Sequence, residues 1–168
     1  MAYDFHRPTS ETAGPVSPMN SAGTNSDYDL NLMIKDFLSQ IAPNKLILGV
    51  PYYGYNWVVE NGDKYAKRIE GTDLMGYSES EIYDNIMKDI DELNLNVMWD
   101  EAAQVPYYTY VSPDTGSTRQ VYFENEQSLI KKYELVKKQN LAGIGIWALG
   151  YDGDKPELWN LINKEFVK

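Results

Sequence analysis

Three short stretches of this chain carry side chains suited to holding a sugar. Tyr3-Asp4 sets a phenol beside a carboxylate. Tyr52-Tyr53-Gly54-Tyr55-Asn56-Trp57 places four rings within six residues. Trp147 is followed four residues later by Tyr151-Asp152. Rings stack on the C–H faces of sugars, and phenols and carboxylates bond their hydroxyls. The chain has 14 Tyr and 4 Trp in 168 residues. Taken singly, a Tyr-Asp pair is usually solvated and a Trp in a glycine-rich strand is usually core. A sugar cleft therefore requires that the fold bring the three stretches together.

The rest of the composition removes other chemistries. There are no cysteines, which excludes a disulfide scaffold, a Cys-ligated zinc and a thiol nucleophile. His6 is the single histidine, so no multi-histidine metal site can form. Lys plus Arg number 15 against 25 Asp plus Glu, a formal net charge of −10. Such a surface repels phosphate, which argues against nucleic acid and anionic membrane as partners. No apolar run approaches the ~18 residues of a membrane helix, and no signal peptide opens the chain. Hydrophobic residues make up 43% of the chain, enough for a core.

The positioning elements follow from pattern. Residues 1–5 read as the end of a strand, followed by a breaker-rich loop to about Ser26. Asp27 is expected to open a helix with Leu30, Met33, Ile34, Phe37, Leu38 and Ile41 on one face, stopped by Pro43. Residues 45–51 are apolar on both faces, as in a buried parallel strand. Ser78-Glu79-Ser80-Glu81 fits a capping box before a helix lined by Ile82, Ile86, Ile90 and Leu93. Residues 97–99 read as a short strand. Residues 105–111 and 119–124 flank turn material and read as a hairpin. A helix runs from Asn125 to near Asn140, and residues 143–150 form another buried strand. Asp154 is expected to cap a last helix, with Pro156 early and Leu158, Trp159, Ile162 and Phe166 inward.

The outer elements are βα units of a parallel sheet, and the middle is an α+β insertion. The class is α/β. Ligands of parallel α/β structures bind at the carboxyl ends of the strands, where the three aromatic stretches fall. A barrel of eight such units takes about 250 residues. The expectation is therefore the C-terminal part of a (β/α)8 barrel, needing the upstream half for completion. A complete small open α/β domain would leave its first strand a stub beside an exposed edge.

These residues resemble glycoside hydrolase family 18, the chitinase family. Met1-Ala2-Tyr3-Asp4-Phe5-His6 is similar to its sixth-strand motif, Met-x-Tyr-Asp. Residues 45–54, ending Gly49-Val50-Pro51-Tyr52-Tyr53-Gly54, are similar to its seventh strand. Gly143-Ile144-Gly145-Ile146-Trp147-Ala148-Leu149-Gly150 is similar to its eighth, with the floor tryptophan. The stretch from Trp99-Asp100-Glu101 through Val105-Pro106-Tyr107 to Val121-Tyr122-Phe123-Glu124 resembles the insertion between strands seven and eight. The spore-cortex and peptidoglycan-type branch is the nearest match. The resemblance divides the chain into 1–57 (strands six and seven), 58–124 (insertion) and 125–168 (last helix-strand-helix).

The resemblance implies hydrolysis of chitin-like or peptidoglycan-like β-1,4 N-acetylglucosamine polymers. The mechanism would be retaining and assisted by the substrate's own acetamide, with no metal or organic cofactor. Tyr3 and Asp4 would be the catalytic pair, Tyr3 toward the acetamido oxygen and Asp4 toward a hydroxyl or the acetamido side. Trp147 would stack under the reacting sugar, with Met1, Tyr53 and Tyr55 around it. Trp57, Trp99 and Asp100 are candidates for neighbouring subsites, although Trp57 and Trp99 fit packing between barrel and insertion equally well. Arg7 stands where the family often has glycine, and Tyr55 where many chitinases have arginine. The family's Asp-x-x-Asp-x-Asp-x-Glu string, whose glutamate is the general acid, does not occur here. It would lie upstream of Met1, and the chain alone would be inactive. Glu101 and Glu124 take no acid role. The parent would act outside the cytoplasm or at the cell envelope. A lectin-like relative and an inactive truncated product are the competing readings.

Overall fold

A computed structural model describes residues 1–21 and 27–167. The elements in order are α1 (Leu30–Leu38), β1 (Ile47–Pro51), β2 (Tyr53–Val58), β3 (Glu79–Ile82), α2 (Tyr83–Glu92), β4 (Met98–Asp100), β5 (Val105–Val111), β6 (Thr118–Tyr122), α3 (Glu126–Lys138), β7 (Gly143–Trp147) and α4 (Glu157–Phe166). β1 and β7 pair in parallel, from Ile47 opposite Gly143 to Pro51 opposite Trp147. The other five strands form an antiparallel sheet in the order β3-β2-β6-β5-β4. The sequence division after residue 57 cuts through β2, which already belongs to that sheet.

Residues 1–5 were expected to be a strand and are not one. The segment lies against β1: a Cβ on Gly49 would stand 3.0 Å from Met1 Cα and 3.2 Å from the Tyr3 ring. Its backbone polar groups are taken by the loop that follows. The Ala2 carbonyl accepts from Ser17 Oγ at 2.6 Å, and the Phe5 N–H donates to Val16 at 3.1 Å. Asp4 has φ +67°, which turns the chain out of extended geometry. The described part of the long loop is packed, with residues 13–19 buried; residues 22–26 lie outside the described residues.

Several helix ends differ from expectation. Asp29, not Asp27, caps α1, its carboxylate accepting from Leu32 N at 2.8 Å. Leu30 and Ile34 are buried, whereas Phe37 and Ile41 are exposed. The expected capping box at residues 78–81 is strand instead. Glu79–Ile82 pair with the free edge of β2, and the Ser78 hydroxyl accepts from Val58 N across that edge. Two-sided pairing outweighs a local cap. Asp154 does not cap α4; Pro156 occupies that position without a side-chain bond. Leu161 rather than Trp159 joins Leu158 in the core. α3 follows expectation, with Asn125 and Ser128 bonding each other's backbone N–H groups.

The antiparallel sheet has two unlike faces. Strand alternation puts Tyr53, Tyr55, Trp57, Tyr107 and Tyr122 on one face, against Ala13 and Val16 of the loop. Tyr108 and Val121 lie on the other, with Ile86 of α2. β6 passes so close to β2 at Gly54 that a Cβ there would collide with the Tyr122 carbonyl.

Candidate active site

A pocket of about 280 Å³ opens where β1, β7 and β3 end and β2 begins. Met1, Tyr3, Asp4, Tyr53, Tyr55 and Trp147 line it, together with Ser80, Glu81, Ile82 and Tyr151. The three aromatic stretches that are separate in sequence thus share one wall. β1–β7 pairing brings Trp147 opposite Pro51, so the chain leaves both strands at the same end.

Asp4 is the centre of the polar wiring. The Tyr55 hydroxyl donates to its Oδ1 at 2.6 Å, and the Tyr53 hydroxyl donates to the same oxygen. Among the described residues no hydrogen bond falls on Oδ2. Burial and then the bond to Asp4 push the Tyr53 hydroxyl far above its ordinary pKa. The same two causes push Tyr55 to about 12. Both phenols therefore stay protonated donors. The Tyr3 hydroxyl is also raised, by burial first and then by the Asp4 charge. It has no partner among the described residues and remains a free donor at the pocket. Edge-on contacts fix the rings: Tyr3 to Tyr53 at 5.9 Å, Tyr53 to Tyr55 at 5.5 Å and Tyr53 to Tyr151 at 6.4 Å. Trp147 is 51% exposed, a large apolar face turned to solvent at the pocket.

The remaining candidates lie elsewhere. Trp57 is fully buried, donating from Nε1 to the Arg7 carbonyl at 3.0 Å and packing edge-on to Tyr55 and Tyr122. Trp99 and Asp100 sit on β4, the edge of the sheet opposite β3, and so cannot line a pocket at β3. Asp100 is fully buried and accepts from the Tyr65 hydroxyl and from the N–H groups of Ala102 and Ala103. Glu124 is buried in an ion pair with Lys132 at 2.8 Å, far from an acid's role. Ser80, Glu81 and Ile82 were missed, and Tyr151 was noted at the third strand end without being named as a site residue. Tyr151 carried a signal, since it follows the strand that ends at Trp147. Ser80 and Ile82 were hidden by the capping-box reading.

Glu81 reaches the pocket from an edge strand but is aimed away from Tyr53 and Tyr55. Tyr53 and Tyr55 stand opposite Ile82 and Ser80, whereas Glu81 stands opposite Gly54. Its carboxyl shares the other face with Asn56, whose Nδ2 donates to it at 3.2 Å. Burial, then the Asp89 charge, push it up to about 7.

The model of the glycosyl hydrolases family 18 matches residues 1–152. The chain belongs to this family. As a family 18 chain it is 30% identical over 165 residues to the human di-N-acetylchitobiase, covering 88% of itself and 43% of that protein. It is 30% identical over 167 residues to the putative sporulation-specific glycosylase YdhD of Bacillus subtilis, covering 99% of itself and 34% of that protein. The chain thus spans less than half the length of these curated relatives. Its fold matches the GH18 chitinase of Cycas revoluta, solved with (GlcNAc)4, at a TM-score of 0.81 and 24% identity, over 98% of this chain and 45% of that one. The α/β fold is therefore that of family 18 chitinases.

Proposed function

We propose that this chain forms strands six to eight of a family 18 (β/α)8 barrel, with the antiparallel sheet as the insertion between the last two. Its pocket then holds one sugar of a β-1,4-linked N-acetylglucosamine polymer. The observation that carries this reading is Asp4, clamped through one oxygen by two tyrosines with the other oxygen unspent, beside a free Tyr3 hydroxyl and an exposed Trp147.

In the reaction the acetamido oxygen bonds to the anomeric carbon as the glycosidic C–O bond breaks. The leaving oxygen takes its proton from a glutamate that this sequence does not contain, on the fourth strand of the same barrel. Water then attacks the anomeric carbon and restores the acetamide with retained configuration. Tyr3 donates to the acetamido oxygen and holds it in a near-attack geometry. Asp4 accepts from the acetamido N–H or a sugar hydroxyl through Oδ2. Trp147 stacks under the ring, and Met1 and Tyr151 close its sides. Nothing in these steps calls for a metal or an organic cofactor. We place the parent protein outside the cytoplasm or at the cell envelope, where such polymers occur.

The test is release of a chromophore from an N-acetylglucosamine oligomer. The 168-residue chain alone is expected to be silent, since general acid catalysis is worth about 10²–10⁴-fold. Supplying the upstream half of the barrel, in one chain or as a separate fragment, is expected to restore turnover. Turnover by the chain alone would overturn the account. The second reading is a sugar-binding relative without hydrolysis; binding without turnover in the completed protein would establish it.

A further inference from the structure

His6, the single histidine of the chain, does not line the pocket, yet it is only 3% exposed. Its Nδ1 stands 2.9 Å from the Pro15 carbonyl. A carbonyl only accepts, so Nδ1 carries the proton and Nε2 is left as a bare acceptor. Nε2 is buried and has no partner among the described residues. The ring also packs on Gly14, where a Cβ would come 2.5 Å from both Nε2 and Cδ2. A second proton, on Nε2, would bury an N–H and a positive charge with nothing to accept them. Burial accordingly holds the imidazole below its ordinary pKa, although the Pro15 carbonyl opposes this.

The bond to Pro15 is one of three. Pro15, Val16 and Ser17 run as a strap along residues 2–6. The Val16 carbonyl accepts from the Phe5 N–H at 3.1 Å, and Ser17 Oγ donates to the Ala2 carbonyl at 2.6 Å. Bonds to Ala2, Phe5 and His6 thus bracket Asp4 on both sides. Asp4 has φ +67°, a left-handed backbone that a non-glycine residue keeps when its surroundings impose it. The bracket imposes it, and the carboxylate so presented meets the hydroxyls of Tyr53 and Tyr55. The bonds at Ala2 and Phe5 use groups that do not titrate near neutrality. The bond at His6 does.

No charge touches the ring. Asp4, Arg7 and Glu11 share its loop, and Lys67 and Arg68 lie on the segment bonded to residues 11–13. Lys67 and Arg68 pair instead with Glu60 and Glu70. From β2, Tyr55 and Trp57 reach Asp4 and the Arg7 carbonyl, and Tyr28 stacks on Phe5. Among the described residues none of these forms an ion pair with the imidazole. His6 also lines a surface recess with Phe5, Ser10, Glu11 and Thr12, so solvent is close to the ring.

We propose that His6 is a positioning residue for Asp4: its neutral ring ties the 15–17 strap to residues 2–6, and a proton on Nε2 releases the strap and lets the Asp4 carboxyl leave Tyr53 and Tyr55. A released ring titrates near its ordinary value of about 6.5, while the packed ring stays neutral below it. Each pH unit below that value therefore shifts the balance about tenfold toward release. The bracket weakens on acidification. The inference rests on the geometry around Asp4; only its consequence for sugar binding rests on the reading of the pocket.

The test is nuclear magnetic resonance on the isotope-labelled 168-residue chain. At neutral pH the imidazole is expected in its Nδ1–H form. Protection of the Phe5 N–H against hydrogen exchange, corrected for the intrinsic rate, is expected to fall about tenfold per pH unit between about pH 6.5 and 5, and the Asp4 Cγ resonance to shift with it. The Tyr52 N–H, which donates to the Trp147 carbonyl at 2.8 Å away from the strap, is expected to keep its protection. His6→Asn places an amide N–H where Nδ1 stood and cannot titrate. It is expected to retain protection and to abolish both pH effects. His6→Leu fills the site without a donor and is expected to lose about tenfold of Phe5 protection at every pH. An Nε2–H ring, a Phe5 protection that does not fall, or a fall that persists in His6→Asn would overturn the proposal. So would an Asp4 resonance that stays in place while the strap opens, since His6 would then be structural only. Affinity for (GlcNAc)4 is expected to fall with the strap in the wild type and not in His6→Asn. Absence of binding at any pH would count against the sugar reading alone, because the amide and carboxyl signals need no ligand.

Discussion

Two carboxylates in this chain are held by tyrosines, and they have opposite fates. Asp100 is fully buried, and both of its oxygens are used: Oδ2 by the Tyr65 hydroxyl, Oδ1 by the N–H groups of Ala102 and Ala103. Lys64 stands 3.6 Å away as well. Asp4 takes two tyrosine hydroxyls on Oδ1 and keeps Oδ2 in reserve at the pocket. The first is a structural knot that ties the turn after β4 to Tyr65. The second is oriented but unfinished, and a ligand completes it. Residue type does not separate the two; unspent acceptor capacity does.

The sharpest way to break the comparison is to truncate both. Asp100→Ala strands one phenol and two buried N–H groups, and is expected to cost about 3 kcal/mol in urea unfolding. Asp4→Asn is expected to stay within about 1 kcal/mol of wild type yet lower turnover of the barrel-completed protein about 100-fold, the scale of a lost transition-state contact. Comparable stability losses at the two sites would erase the distinction.

Smaller changes refine it. In the completed protein, Tyr3→Phe is expected to lower turnover more than affinity, since its hydroxyl acts chiefly as the acetamide attacks. Trp147→Ala is expected to weaken oligomer binding about tenfold as well, because a stacked ring contacts the ground state. Titration calorimetry and initial rates separate the two effects. Tyr55→Phe leaves Tyr53 on Asp4 and is expected to cost about 1 kcal/mol of stability.

A further effect, read as a pH dependence, lies on the other face of the sheet. The Glu81 carboxyl is raised from 4.5 to about 7 in the folded chain. Between those values the folded state holds a proton that the unfolded state has released. Its stabilisation is full below the lower value and is lost as pH rises through the upper one. Urea midpoints should therefore fall between pH 5 and pH 8 by less in Glu81→Gln than in wild type. An equal fall would assign the slope to other groups.

What could be read in the sequence was what short-range pattern determines. Residues 45–51 and 143–150 announced parallel strands through their apolar runs, and the pairing is as expected, but β7 spans only Gly143–Trp147 and is half-buried rather than buried. The hairpin of residues 105–111 and 119–124 and the helix starting at Asn125 were legible for the same local reason. Residues 78–81 misled because serines and glutamates that would suit a capping box were instead recruited by the open edge of β2. Residues 1–5 misled because nothing in Asp4 itself signals a positive φ. Tyr3, Asp4, Tyr53 and Trp147 were found through their positions at strand ends, yet the bonds from Tyr53 and Tyr55 to Asp4 span 49 and 51 residues and had no local sign. Tyr65, which anchors Asp100 from 35 residues away, carried none either.

The tyrosines on the inner face of the antiparallel sheet form a column. Tyr65 and Tyr107 lie on either side of the pairing set by Tyr122, with interplanar angles of 5° and 13° and centroids 5.9 and 5.0 Å from it. Near-parallel rings at that spacing couple their electronic transitions, so the column should give a strong ultraviolet ellipticity of its own. Trp57, edge-on to Tyr122 at 6.3 Å and sealed from water, is placed to collect their excitation, while Trp147 emits from solvent. With Trp99 and Trp159 replaced by Phe, the molecule would carry a blue-shifted beacon for the antiparallel sheet and a red-shifted one for the pocket, and the folding of one could be followed separately from the filling of the other.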